Sequence, residues 1–367
     1  MESEKKNRGK IKVIKRLLAV TAGIIGLVVV AFVILLLILT VLEYKPEDRE
    51  PLSTQGNSSK ELLAGDTITV MSWNIGFGAL GDNADFFMDG GTHVMPSNKD
   101  RVLENLNGIS EEIQSVNPDI VFLQEVDSDS KRSYYIDQRK EIMEGMDGYQ
   151  SSCAYNYKVL YVPYPLPPIG KVESGLSTLS SYEMNSAERV ALPCPFSYPI
   201  RVANLKRCLM VNRVPIQGSD KELVLVNLHL EAYDSGEGKE AQTAMLKELL
   251  EIEADAGNYV IAGGDFNQEF SNVDTSLCPQ ISEELWEAGV IDVEEFPENL
   301  QCITDDSVPT CRSLDQPYEG ADKENFQYYM IDGFIVSDNL TVESLETRDL
   351  QFQNSDHNTL VLVVTMQ

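Results

Sequence analysis

The chain has 367 residues, 43% of them hydrophobic, and a formal net charge of −29. That apolar share excludes a disordered protein, and the length allows one large domain or two modest ones. The acidic balance argues against broad polyanion binding, because nucleic-acid affinity rests on Lys and Arg against phosphates.

The charge is unevenly spread. Residues 1–16 hold Lys5, Lys6, Arg8, Lys10, Lys12, Lys15 and Arg16 against Glu2 and Glu4, a net +5, so the remainder carries −34. Leu17 to Leu42 is a run of 26 residues without a charge, and a membrane-spanning helix needs roughly 20. A cleaved secretory signal is the competing reading, but its apolar part spans only roughly 7–15 residues. With the basic residues ahead of the span, the positive-inside rule predicts a cytoplasmic tail at 1–16, a single transmembrane helix at 17–42 in the cell membrane, and an extracytoplasmic remainder. Residues 43–65 are polar, with Pro46, Pro51, Gly56 and Asn57, and read as a flexible stalk below an outer domain at 66–367.

Within that domain strands and helices alternate. Thr67–Asn74 reads as a strand, and Val102, Leu103, Leu106, Ile109 and Ile113 give helical spacing over 100–116. Ile120–Leu123 and Leu223–Leu230 read as strands. Glu240–Ala254 reads as a helix with Ala244, Met245, Leu249 and Ile252 on one face. Tyr259–Ala262, Tyr328–Val336 and Leu360–Thr365 are further predicted strands. The Tyr- and Pro-rich stretch 155–170 is expected to be an irregular loop beside a site. Many strands with few helices predict an α/β (α+β) domain, two packed sheets with helices outside. All six cysteines (153, 194, 208, 278, 302, 311) fall in the outer part, where an oxidising compartment permits disulfides. Cys302 and Cys311 flank a short polar loop and are the first candidates for a pair, with free buried thiols the alternative. No C-x₂-C pair exists, which argues against zinc.

Five motifs place polar groups at the ends of apolar runs: Ser72-Trp73-Asn74, Leu123-Gln124-Glu125, Asn227-Leu228-His229-Leu230, Gly264-Asp265-Phe266-Asn267 and Ser355-Asp356-His357. Burying such groups is costly unless they are satisfied, and a shared cation with an anionic substrate would satisfy them together. Asn74, Glu125, Asp265 and Asp356 offer oxygen, so Mg2+ or Mn2+ fits better than zinc. The chain has three histidines, and His229 and His357 both fall in these motifs, whereas His93 sits in a Gly-rich stretch. An imidazole there can donate to a phosphate or move a proton near neutral pH. Singly, each motif has a bland reading: a Gly-Asp-x-Asn turn, a solvated strand end, a hydrogen-bonded core histidine.

The ordered set Trp-Asn, Gln-Glu, Asn-x-His-Leu, Gly-Asp-x-Asn and Ser-Asp-His resembles the endonuclease/exonuclease/phosphatase superfamily, the deoxyribonuclease I-like group, here in a membrane-anchored form. The resemblance spans about 67–367 and includes Gly175–Ser180. It implies a four-layer sandwich of two mixed β-sheets flanked by helices. It implies Glu125 as main metal ligand, with Asn74 beside it and Asp356 contributing. Asp265 would orient or deprotonate the attacking water, Asn267 would hold the phosphate, and His357 would contact the scissile phosphate. Asp332 would fix the tautomer of His357, and His229 would be a second phosphate contact or the acid for the leaving oxygen. Gly76 stands where apurinic endonucleases carry an acid, and Gln268-Glu269 stand where inositol phosphatases place Tyr-Arg. The expectation is therefore a Mg2+- or Mn2+-dependent phosphodiesterase or phosphatase acting outside the membrane on a lipid headgroup or small phosphoester. A deoxyribonuclease I-type nuclease ranks below it, as does an inactive surface binding protein on the same scaffold.

Overall fold

The computed structural model describes residues 1–96, 98–234 and 236–367, with the side chains of residues 2–6 outside the description. Four α-helices occur among them: α1 (Glu2–Val41), α2 (Lys99–Val116), α3 (Gln138–Met143) and α4 (Glu237–Asp255). The segment Asn7–Val41 of α1 is long and apolar enough to cross a membrane, and almost none of it is buried against the rest of the chain.

Two seven-stranded sheets build the domain. The first runs, edge to edge, Arg49–Pro51, Ser186–Ala191, Cys208–Pro215, Glu222–His229, Tyr259–Asp265, Asp332–Ser337 and Leu300–Ile303. The second runs Leu340–Arg348, Thr359–Met366, Thr67–Asn74, Ile120–Asp127, Gly170–Ser180, Gln150–Val162 and Thr54–Gly56. Each mixes parallel and antiparallel pairs.

Side-chain alternation along the strands assigns the layers. On Glu222–His229, Leu223 and Leu225 face the other sheet and join Ile68, Val70, Ile120 and Phe122 in the central core. Val224, Val226 and Leu228 point the other way, onto Leu246, Leu249 and Leu250 of α4. Across the second sheet, Met71, Trp73, Val121 and Leu123 pack on Val102, Leu106, Ile109 and Ile113 of α2 and Ile142 of α3. The order is helix, sheet, sheet, helix, as the family resemblance implies. Central strands buried on both faces explain their near-continuous apolar runs. The bounds of α2 follow from its caps: Asn98 Oδ1 accepts from Arg101 N at 2.9 Å, and Asn117 closes the helix with φ +50°.

Four expectations need correction. Residues 43–65 are not a free stalk: Arg49–Pro51 pairs with the first sheet, Thr54–Gly56 with the second, and Leu62 is buried. Their polar composition belongs to short edge strands, whose partners supply the order. Irregular backbone between Tyr155 and Gly170 is confined to residues 163–169, because Gln150–Val162 pairs with Gly170–Ser180 nearly to its end. The predicted strand Tyr328–Val336 is broken in two. Tyr328–Tyr329 pairs with Cys311–Arg312, and Asp332–Ser337 enters the first sheet. Cys302 and Cys311 do not pair, and all six cysteines are free thiols. Cys302 lies in the core beneath α4, whereas Cys311 bridges to His357.

Candidate active site

Strand direction brings the polar ends together. Asn74 lies beside Gln124 in one parallel pair, Asp265 beside His229 in another, and Asp332 faces Asp265 across an antiparallel pair. Beneath this end a polar tie joins the sheets: Gln124 Nε2 donates to Asn227 Oδ1 at 2.8 Å, and Asn227 Nδ2 donates to Ser177 O at 3.0 Å. Two strand ends then leave regular backbone. A bulge between Leu123 and Val126 puts Glu125 at φ +56°, and Asn267 sits at φ +51°. Left-handed backbone at a non-glycine residue costs on the order of 1 kcal/mol, and here it turns both side chains into the cleft. At Gly264, φ is +148° and a Cβ would lie 2.0 Å from Leu228 O, so glycine alone lets the strand deliver Asp265 this close to its neighbour.

Asp265 is the hub. Its Oδ1 accepts the backbone N–H of Asn267 at 2.9 Å, and its Oδ2 accepts Asn74 Nδ2 at 3.0 Å. The same Oδ2 lies 3.4 Å from His229 Nε2 and 3.7 Å from His357 Nε2. Burial lifts its pKa to about 7, against the nearby His357, which lowers it.

The two imidazoles beside it differ. Burial alone would discharge His357, but Asp332 Oδ2, 2.8 Å from its Nδ1, outweighs that and raises its pKa well above the usual value. Burial drives His229 well below the usual value, and the charges of Arg207 and His357 add to the effect. His229 Nδ1 is buried without a hydrogen-bond partner.

Glu125 and Asp356 supply the remaining charge. Burial raises both pKa values, and Glu125 also feels the Asp356 carboxylate. Gly76 makes room for Asp356: a Cβ there would lie 2.7 Å from Asp356 Oδ1. Arg132 and His357 at Glu125, and His357 and Arg312 at Asp356, already offset part of the effect of burial, and a bound cation would offset more. The thiol of Cys311 lies near Asp356 and His357 but is a poor ligand for a hard cation such as Mg2+ or Mn2+, which prefers oxygen. An all-oxygen set of Glu125, Asp356 and Asn74 Oδ1 fits a hard divalent cation.

A cleft of about 530 Å³ encloses the centre, lined by seven of the eight predicted residues, and Asp332 stands behind His357. His93 is not part of it; it pairs with Asp85. Sequence reasoning offered Arg207 among the basic residues for a small anionic group but missed Arg132 and Arg312 of the wall. Arg132 is held by Asp127 at 3.0 and 3.1 Å with its guanidinium 3.8 Å from the Phe77 ring centroid, and Arg207 Nη1 donates to His229 O at 3.2 Å. Arg312 donates to the carbonyls of Gly81 and Ser313 at 2.8 Å. No periodicity marks these positions. The nearest signal was their scarcity in so acidic a chain.

Comparison with known proteins agrees with this architecture. A structure described as an endonuclease/exonuclease/phosphatase from Beutenbergia cavernae matches with a TM-score of 0.54 and 18% identity, over 82% of this chain and 72% of that one. One from Bacteroides vulgatus gives 0.51 and 16%, over 82% and 100%. ANGEL2, described as a 2′,3′-cyclic phosphatase, gives 0.52 and 15%, over 86% and 98%. At these identities the likeness is one of fold. No curated protein matches by sequence. The sequence pattern of the Endonuclease/Exonuclease/phosphatase family matches residues 71–357, and the chain belongs to that family.

Proposed function

We propose that the protein is a divalent-metal-dependent phosphoester hydrolase tethered to the membrane by α1, with its N-terminus cytoplasmic and its catalytic domain outside. The observation that carries this is the convergence on Asp265 Oδ2, which Asn74, His229 and His357 all approach within 3.7 Å. Glu125, Asp356 and Asn74 would hold Mg2+ or Mn2+. The ion would neutralise phosphate charge and leave water easier to deprotonate.

This chain's own residues divide the rest of the work. Asp265, fixed by two hydrogen bonds and lifted to about 7, takes the proton from the attacking water as the water oxygen bonds to phosphorus; the ester P–O bond breaks with its electron pair on the departing oxygen, which takes a proton from solvent. His357, held cationic by Asp332, faces the phosphate oxygens as charge grows on them. His229 is neutral and meets the phosphate as a hydrogen-bond partner; its depressed pKa makes it a weak choice for the leaving-group acid. Asn267 has donated one amide N–H to Leu230 O at 2.9 Å, and the other is available to a phosphate oxygen. The domain's negative charge favours a small or lipid-borne phosphoester over a nucleic acid.

The test is hydrolysis of bis-p-nitrophenyl phosphate and p-nitrophenyl phosphate by the full chain in detergent micelles, with Mg2+, with Mn2+ and with EDTA. Turnover of at least one ester that needs the metal and is lost in Asp265→Asn is expected. No turnover of either ester with either metal overturns the reading.

A further inference from the structure

The end of α1 and the catalytic cleft are joined by consecutive residues. Lys206 Nζ lies 3.3 Å from Glu43 Oε1, just past the apolar span, and the next residue, Arg207, donates to His229 O at 3.2 Å. Arg201 Nε also lies 3.5 Å from Glu43 Oε1, and Thr40 Oγ1 is 3.5 Å from Tyr198 Oη. The last turns of α1 pack on the strand Gln150–Val162 and on the helical turn Ile200–Ala203. The loops beside those two elements, residues 163–169 and 192–199, adjoin elements that α1 touches, and Tyr198 in the second reaches Thr40 itself.

These loops and that turn expose apolar side chains. Leu166 is 90% exposed, Tyr164 68%, Ile200 60% and Tyr198 52%. The same segments build the near wall of the cleft, which Tyr164, Phe196, Ala203 and Leu205 line.

We propose that Leu166, Tyr198 and Ile200 sit in the headgroup region of the leaflet that anchors α1. The cleft then opens onto that leaflet, and its substrate is the phosphorylated headgroup of a lipid embedded there. The substrate half rests on the phosphoesterase reading; the docking half does not. Tyrosines and aliphatic side chains beside a span are the chemistry that partitions to a membrane interface. A domain carrying −34 gains no attraction from an anionic surface, so apolar insertion and the tether must hold it. The contacts of Glu43 and the pairing of residues 49–56 with both sheets fix the domain against the helix end. A soluble substrate would gain nothing from a bare Leu166, whereas a lipid phosphate lies at the depth these side chains would reach.

The full chain is reconstituted in phosphatidylcholine–phosphatidylglycerol vesicles with brominated acyl chains. Leu166→Trp and Ile200→Trp are read against the parent emission. Ile252→Trp is the control: it sits in the last turn of α4, where Glu253 pairs with Arg213 near the start of the strand that ends at His229. Quenching of the first two and not of the control is expected; equal quenching of all three, or none, overturns docking. In a second arm, Leu166→Glu combined with Ile200→Glu is expected to lower release of headgroup from vesicles roughly tenfold, while bis-p-nitrophenyl phosphate turnover in micelles is unchanged. No loss on vesicles, or equal loss on both substrates, overturns the proposal. If the parent chain hydrolyses the soluble ester and no vesicle lipid, the substrate half falls and the phosphoesterase reading stands. If it hydrolyses neither while the quenching pattern holds, the phosphoesterase reading falls, the substrate half with it, and docking survives.

Discussion

The floor of the cleft and its rim are built on opposite rules. On the floor, Asn74, His229, Asp265, Asp332 and His357 are all buried; the first four hang from strands that the two sheets hold in register, and His357, just before a strand, is held by Asp332 and by a backbone bridge to Cys311. At the rim, Leu166, Tyr198 and Ile200 stand exposed on loops and a helical turn. A buried polar group must have its partners, so floor geometry is over-determined and intolerant of change. Exposed side chains such as Leu166 and Ile200 bury little apolar surface in the chain, and their replacement costs the fold little.

That contrast orders the effects of substitution. Asp265→Asn keeps the size and removes the proton acceptor, and it is expected to lower kcat on the model ester by roughly a thousandfold or more, the combined scale of general-base and charge effects. His357→Gln is expected to cost roughly a hundredfold in kcat. Asp332→Asn should cost less, on the order of tenfold, and carries a sharper signature. Asp332 raises the pKa of His357, so the imidazolium persists to higher pH in the parent. Removing the carboxylate lowers that pKa, and the alkaline fall of kcat/KM moves to lower pH. An unmoved alkaline limb would break the link between Asp332 and the protonation of His357. On stability, Leu225→Ala in the central core is expected to cost about 2–5 kcal/mol in a denaturant titration. Leu166→Glu should stay within about 0.5 kcal/mol, and a larger loss would mean that the rim supports the fold.

What the sequence revealed follows the same division. Asn74, His229, Asp265 and His357 were legible because they fall in motifs at or near the ends of apolar runs, in an order that resembles one family; Asp332 came only with that resemblance. The two sheets with helices outside were legible because many predicted strands were separated by few helices, and the four layers came with the family resemblance. The stretch 43–65 was not legible, since its three-residue strands exist only through their partner edges. Nor was Tyr155–Val162, whose mixed Tyr and Lys pattern becomes a strand through pairing with Gly170–Glu173 and Ser174–Gly175. Arg132, Arg207 and Arg312 took their places by tertiary contact, through Asp127, the His229 carbonyl and the carbonyls near Gly81. Trp286, which donates Nε1 to Ala232 O at 3.0 Å beside the cleft, lies in the one stretch, 271–327, that periodicity could not resolve.

The central claim is that carboxylates far apart in sequence share one cation. Electron paramagnetic resonance of Mn2+ added to the full chain in micelles tests it most directly. Bound Mn2+ that Mg2+ displaces is expected in the parent, with affinity lowered at least roughly tenfold in Glu125→Gln and again in Asp356→Asn. Mn2+ binding that is unchanged in both variants would contradict the account.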